Sequence, residues 1–337
     1  MSSILTLKAS DVRRAFSALT PLFPKGSSNM SVGLHLSKGH LKVVCLQGVV
    51  YQADIPVDDE LAIADATIIY YNITPLLPSI DNVYMEFTPM SVRLFGDDFE
   101  TEFQLGYSVV EVQDFSKLVF SNIISNVYAD GFSTIQHLGL EKLYNLPSPV
   151  IVMKDVAIQK YPNTWVQVRT SGLPFDATLD ITHVNLLLKF APKEVCTSIP
   201  NTLVFKNANA LLQIPYKRNV DNNNILSLMQ DLGEPITINI KRYLEKLKSM
   251  ARVDTHSKCK ISLFADGMKS TINYENTSIS VSTGNCYGEA IKVCHLPMRM
   301  WLNYLNNIGA ENIQILVGGD KLCLRTQSTI IITHALL

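Results

Sequence analysis

The residues best placed to do chemistry are cations at helical spacing. In the stretch 236–252, ITINIKRYLEKLKSMAR, the residues Lys241, Arg242, Lys246, Lys248 and Arg252 face outward against a single acid, Glu245. Ile240, Tyr243, Leu244, Leu247 and Ala251 form the opposite, apolar stripe of the same helical repeat. A helix with its back on a sheet and a row of cations facing out meets a polyanion through charge and reach alone. Such phosphate contacts read no base sequence, so stiff helices carrying lysine and arginine suffice for sequence-independent binding. Arg13 and Arg14 repeat the theme on the outer side of DVRRAFSALTPLF, and Lys189 and Lys193 do so in HVNLLLKFAPKEV. Helices favour lysine and arginine by propensity alone. That explains each helix singly, but less well the acids gathered on the neighbouring strands and loops.

Catalytic signatures are missing from the sequence. It has no GxxxxGK[ST], no GxGxxG opening a helix, no HExxH and no GxSxG. The histidines are dispersed, and none stands at metal-ligand spacing from a cysteine or carboxylate. His137 and His183 fall in helical segments, where a lone histidine is ordinarily a surface or core residue. The acid clusters Asp58-Asp59-Glu60 and Asp97-Asp98 sit at turns. Two-metal nucleases do place acids at strand ends, but turn chemistry accounts for these clusters at least as well. The expectation is a protein that is not an enzyme and carries no metal or cofactor.

The elements that position the cations recur in a fixed order. ILTLKA alternates as a strand, and Ser10 stands as N-cap to a helix closed by Pro21, Pro24 and Gly26. Strands MSVGLHL, HLKVVCL and VVYQADIPV follow, the first two joined at Lys38-Gly39. ATIIYY then leads to a short helix capped by Asn72, and VYMEFT, SVRLFG and FETEFQLGY close the first third. This is one βαβββ unit written twice. The middle third repeats the order less cleanly. KLVFSNI is a strand candidate, a helix falls within FSTIQHLGLEKLYNL, and strands meet at the Tyr161-Pro162-Asn163 turn. A second helix is capped by Thr182, and TLVFKNANALLQIPYK reads as a hairpin. Residues 219–233, polar and then briefly apolar, read as a link. The last third opens on the cationic helix and ends with helix MRMWLNYLNNIG, stopped by Gly309, a Gly319-Asp320 hairpin and the strand TIIITHALL.

The predicted architecture is therefore α+β: three consecutive domains over 1–115, 116–232 and 233–337, each a doubled βαβββ unit, with helices on one face of curved sheets. Strands at the domain ends are free to pair across the boundaries. The 337 residues exceed one ordinary core, and 47% hydrophobic with 18% charged residues fits a folded chain. Net charge is −1, yet residues 1–115 hold seven Lys/Arg against fourteen Asp/Glu and residues 233–337 hold twelve against eight. Charge is segregated, acid first and base last. The six cysteines include no CxxC, the N-terminus lacks the apolar core of a secretory leader, and no apolar run approaches a membrane span. Reduced thiols in a cytoplasmic compartment are expected.

The apolar tail Thr333, His334, Ala335, Leu336 and Leu337 reads either as a last strand or, with Trp165, as a groove for a partner peptide. Here the three doubled units, the Gln113-Asp114-Phe115 junction and the short apolar end after a final hairpin together resemble the bacterial type of DNA sliding clamp, the polymerase processivity factor. The resemblance spans the whole chain and is one of organisation. It implies a head-to-tail homodimeric ring whose inner wall of helices surrounds double-stranded DNA. It also implies a groove between the second and third domains that takes peptides of a DNA polymerase and a clamp-loader ATPase, with Thr333–Leu337 and the turn before Trp165 beside it. The Met-Pro-Met-Arg ending usual in that family is absent, and the first domain is poor in cations. Such divergence suits a viral or phage clamp. Two rival readings are a monomeric processivity factor of the same fold held by charge, and a β-rich viral structural or assembly protein without a DNA role.

Overall fold

The computed structural model describes residues 3–335 apart from 24–26, 38, 47–48, 58–64, 78–81, 107–111, 116, 121, 126–127, 209, 219–227 and 230. The Asp58-Asp59-Glu60 loop, Lys38 of the first hairpin turn, most of the 219–233 link, Leu336 and Leu337 lie outside the described residues.

Six units follow one another. The first is β1 (Ser3–Lys8), α1 (Ala9–Ser17), β2 (Asn29–Ser37), β3 (His40–Leu46) and β4 (Val50–Pro56). The second is β5 (Ala66–Tyr71), a 3-10 turn at Thr74–Leu76, β6 (Asn82–Phe87), β7 (Ser91–Phe95) and β8 (Glu100–Gln104). The third is β9 (Asn122–Ile123), α2 (Tyr128–Leu138), the short α3 (Leu140–Tyr144), β10 (Val150–Met153), β11 (Val156–Tyr161) and β12 (Thr164–Arg169). The fourth is β13 (Ala177–Leu179), α4 (Ile181–Phe190), β14 (Glu194–Cys196), β15 (Thr202–Asn207) and β16 (Ala210–Pro215). The fifth is β17 (Ile236–Asn239), α5 (Lys241–Val253), β18 (Lys258–Phe264), β19 (Asp266–Tyr274) and β20 (Thr277–Asn285). The sixth is β21 (Lys292–Pro297), α6 (Met298–Asn307), β22 (Asn312–Gly318), β23 (Lys321–Arg325) and β24 (Thr329–His334).

Sister units interlock. The last three strands of each make an antiparallel meander, and the opening strand of the sister adds to it as the fourth. Thus β1 pairs with β6, Ser3 opposite Phe87, while β5 pairs with β2, Tyr71 opposite Asn29. Neither unit completes a sheet without its sister, which is why they come in pairs. The chain forms two compact units. One comprises Met1–Asn126 and Thr182–Lys217, with sheets ordered β1-β6-β7-β8 and β5-β2-β3-β4-β16-β15-β14-β9. The other comprises Val127–Ile181 and Arg218–Leu337, with sheets β13-β10-β11-β12-β24-β23-β22-β17 and β20-β19-β18-β21. Each eight-stranded sheet is two four-stranded halves fused where β4 meets β16 and where β12 meets β24. Strands from different predicted domains therefore do pair across the expected boundaries.

Helices cover one face of these sheets. In the first unit Val12 and Phe16 of α1 are fully buried, and the Tyr51 hydroxyl donates to the Ala15 carbonyl at 2.9 Å. In the second, the Trp301 indole N–H of α6 donates to Ser270 Oγ at 3.0 Å and to the Tyr243 hydroxyl of α5 at 3.1 Å, so one buried polar cluster ties both helices to β19. The apolar stripe expected in α5 is observed, with Tyr243, Leu247 and Ala251 buried and Met250 added. α2 sits so close to the end of β12 that a Cβ on Gly131 would lie 2.2 Å from the Arg169 carbonyl oxygen.

Local details differ from expectation. β1 runs straight into α1, so Lys8 takes the cap position and no side chain caps the helix; Ser10 lies inside it. Thr182 is likewise inside α4, which begins at Ile181. The helix expected near Asn72 shrinks to the 3-10 turn, where Pro75 removes a donor, although Asn72 Oδ1 does accept the Thr74 N–H at 3.3 Å. Gly131→Ala is expected to destabilise the protein by about 1–3 kcal/mol through overpacking, read as a lower urea midpoint.

Candidate functional site

The helix faces of the two compact units differ in charge. In the first, a cleft of about 100 Å³ beside α1, α4 and the β4–β16 seam brings Arg14 together with Lys189. The same cleft is lined by Asp11 and Asp54, and Asp11 pairs with Arg14 at 3.3 Å, so the site is electrically balanced. Arg13 is half-buried on α1. Lys193 is not helical, because Pro192 ends α4 at Phe190 and Ala191 takes a φ of +49°. It lies exposed in the turn before β14, its N–H donating to the Lys206 carbonyl at 2.9 Å.

In the second unit all five predicted cations of α5, Lys241, Arg242, Lys246, Lys248 and Arg252, are exposed. Lys241 is drawn to Glu311 at 2.7 Å, and that hydrogen bond raises its pKa. The other four make no ion pair among the described residues. Lys248 lines a concavity of about 570 Å³ with Lys142 of α3, Arg299 of α6, His137 of α2 and the amides of Asn303 and Asn306. Among the described residues no carboxylate lines it. Asn303 fixes one wall, its Nδ2 donating to the Leu138 carbonyl at the end of α2 at 2.6 Å. Three cations on three helices, with no acid beside them among the described residues, make a positive concavity with the charge and reach to attract a polyanion. Sequence spacing within α5 finds Lys248. Lys142 and Arg299 enter only when α3 and α6 are placed beside it.

The groove residues divide between two faces of the β12–β24 seam. Thr164 stands opposite Thr333, and Trp165 opposite Ile332. Thr164 and Thr333 face the helices. Thr164 Oγ1 shares hydrogen bonds with Thr333 Oγ1 and the Tyr304 hydroxyl, both at 2.9 Å, and with the Tyr144 hydroxyl at 2.5 Å. Thr333 Oγ1 also donates to the Asn163 carbonyl at 3.1 Å. Thr333 is thereby committed to the core. Trp165 is half-buried on the opposite face, packed with Leu316, Cys323 and Ile332, and Lys160 Nζ sits 4.6 Å above its ring. His334 is exposed and bonds Asp320 at 2.7 Å, which holds that carboxyl below its ordinary range. Ala335 is buried, its N–H donating to the Asp320 carbonyl at 2.8 Å.

Four of the cysteines are poor nucleophile candidates. Burial pushes the thiols of Cys45, Cys294 and Cys323 up to about 12 and that of Cys259 to about 11, so they stay protonated at neutral pH. Among the described residues no group of three or more His, Cys, Asp or Glu is arranged to hold a metal ion, and no helix is long and apolar enough to cross a membrane.

This arrangement of interlocked sheets and helices is the DNA-clamp fold of the bacterial type. The Helicobacter pylori β clamp in complex with 5-chloroisatin shares it, with a TM-score of 0.76 at 11% identity over 99% of this chain and 100% of that one. The Pseudomonas aeruginosa DNA polymerase III subunit beta gives 0.75 at 9% identity, again over 99% and 100%. The H. pylori β clamp bound to a DNA ligase peptide gives 0.72 at 12% identity over the same shares. No protein-family model matches the chain, and no curated protein matches it by sequence.

Replacing Lys142, Lys248 and Arg299 together by Gln is expected to lower the salt-dependence slope of duplex DNA binding by up to about 3, from the ~0.9 contributed per phosphate contact. Replacing Arg14 and Lys189 should change it much less. Titrations across a salt series measure both.

Proposed function

We propose that this protein is a sliding clamp, a closed ring that encircles duplex DNA and tethers a replicative polymerase without itself catalysing a reaction. The observation that carries the reading is a pair of open edges. Six meanders end in β4, β8, β12, β16, β20 and β24. Four of these are paired, β4 with β16 and β12 with β24, whereas β8 and β20 close their sheets with an unpaired edge among the described residues. An exposed edge with free N–H and C=O groups is a template for another strand. β8 of one chain pairing antiparallel with β20 of the next would complete an eight-stranded sheet like the other two.

Charge and apolar surface support that joint. One face of the β8 sheet carries Glu86, Glu100 and Glu102 around Arg93, while the β20 sheet carries Lys258, Lys260 and Lys269. Ile279 and Val281 of β20 are only half-buried and would gain cover. The joint is heterologous, so the chains must close into a ring or grow without limit. A homodimer of three domains per chain, divided at 115/116 and 232/233, closes it with six. Held by topology, such a ring needs only weak phosphate contacts from the helix faces and is free to slide. Polymerase and clamp-loader ATPase would dock by peptide segments at the Trp165 face of the β12–β24 seam.

Light scattering should give twice the 37.5 kDa chain mass, reduced to one chain by Val281→Asp. On nicked circular DNA the protein should survive a high-salt wash and be lost once the circle is cut. Equal loss from circular and linear DNA would mean a monomer held by charge.

A further inference from the structure

The Trp165 face is already occupied. Across four strands, Trp165, Ile332, Cys323 and Leu316 stand opposite one another in one row, all on the side away from the helices. Four apolar side chains in a row on an outward face would be an exposed patch, yet Cys323 is 0% and Ile332 3% exposed. Their cover is the chain's own strap, from which Leu228, Met229 and Leu232 pack onto the row.

The strap is lightly attached. Among the described residues one backbone hydrogen bond joins it to the sheet, from the Gly233 N–H to the Val317 carbonyl at 3.3 Å; a second, Leu232 N–H to Met229 O at 3.2 Å, only turns the strap on itself. Neither Asp231 nor Glu234 makes an ion pair among the described residues. The strap's backbone also lies directly on Gly318, where a Cβ would sit 2.0 Å from the Asp231 carbonyl oxygen and 2.7 Å from the Leu232 Cα. Gly318 does not have a left-handed backbone, so glycine is required there by the strap and not by the strand.

We propose that the strap is an intramolecular ligand of the partner face, and that partner peptides bind by displacing it. The proposal rests on the reading of the Trp165 face as a peptide-docking surface. The strap then states the chemistry of what fits: two adjacent large aliphatic side chains followed three residues later by a third, without a required charge. The apparent affinity for such a peptide is its intrinsic affinity multiplied by the fraction of molecules whose strap is off the face. The clamp is thereby selective for peptides that outcompete a tethered segment.

The test uses a fluorescent synthetic peptide with the sequence of residues 225–235 and the full-length protein. Leu228→Ser, Met229→Ser and Leu232→Ser together remove the strap's apolar grip. Gly318→Ala lifts the strap without changing its sequence or the row, and decides the matter if the triple variant does not fold. Fluorescence anisotropy should show at least tenfold tighter binding to either variant than to the unaltered protein, and Trp165→Ala added to Gly318→Ala should abolish the gain. Equal binding to all forms would overturn the strap's role while leaving the docking face standing. No binding to any form would overturn both.

Discussion

Antiparallel pairing between the last strands of the meanders is the constraint on which the rest of the structure depends. A four-stranded meander with one apolar face leaves its final strand bare, and the backbone groups along that edge require partners. β4 and β16 answer this need in one compact unit and β12 and β24 in the other. Each pairing sets the register of its eight-stranded sheet and so determines which helices share a face. The same need, unmet at β8 and β20, is what points to association between chains.

Strand alternation then gives each seam two chemistries. At β12–β24 one residue of register separates a buried polar cluster from an apolar row. Thr164 and Thr333 bond to each other and to tyrosines from α3 and α6, anchoring the helices beneath. Trp165 and Ile332, one step along, look the other way and are covered by the strap. Slipping either strand by a single residue would exchange the two faces, losing the helix anchor and the covered apolar row together.

Charge follows the same division. The first unit's helix cleft sets Asp11 and Asp54 beside Arg14 and Lys189, whereas the second unit's concavity gathers Lys142, Lys248 and Arg299 with no acid among the described residues. The near-zero net charge of the chain conceals this asymmetry. On the proposed ring reading a partly neutral wall would suffice, because closure and not the summed phosphate attraction would hold the DNA.

Much of the fold was legible in the order of the elements, since hydrophobic period distinguishes strand from helix and the βαβββ order repeats. The α5 stripe and its cations were readable because helical spacing is local, and Gly309, with a φ of +74°, ends α6 as its position implied. Helix starts were misread at Ser10, where β1 feeds α1 without a gap and strand continuity overrides capping preference, and at Thr182, where α4 begins one residue earlier, directly after Asp180. The site was legible only in part. A sequence assigns residues to faces of their own element, but register between strands remote in the chain decides that Thr333 turns into the core while Trp165 turns out. Likewise only the packing of α3, α5 and α6 puts Lys142 and Arg299 beside Lys248. What the sequence determined by itself were the elements, their sidedness and their sixfold recurrence, all of which follow from local periodicity. The tertiary structure alone decided which edges are paired, which charges meet and what covers the apolar row, because these depend on contacts between residues that no local pattern connects.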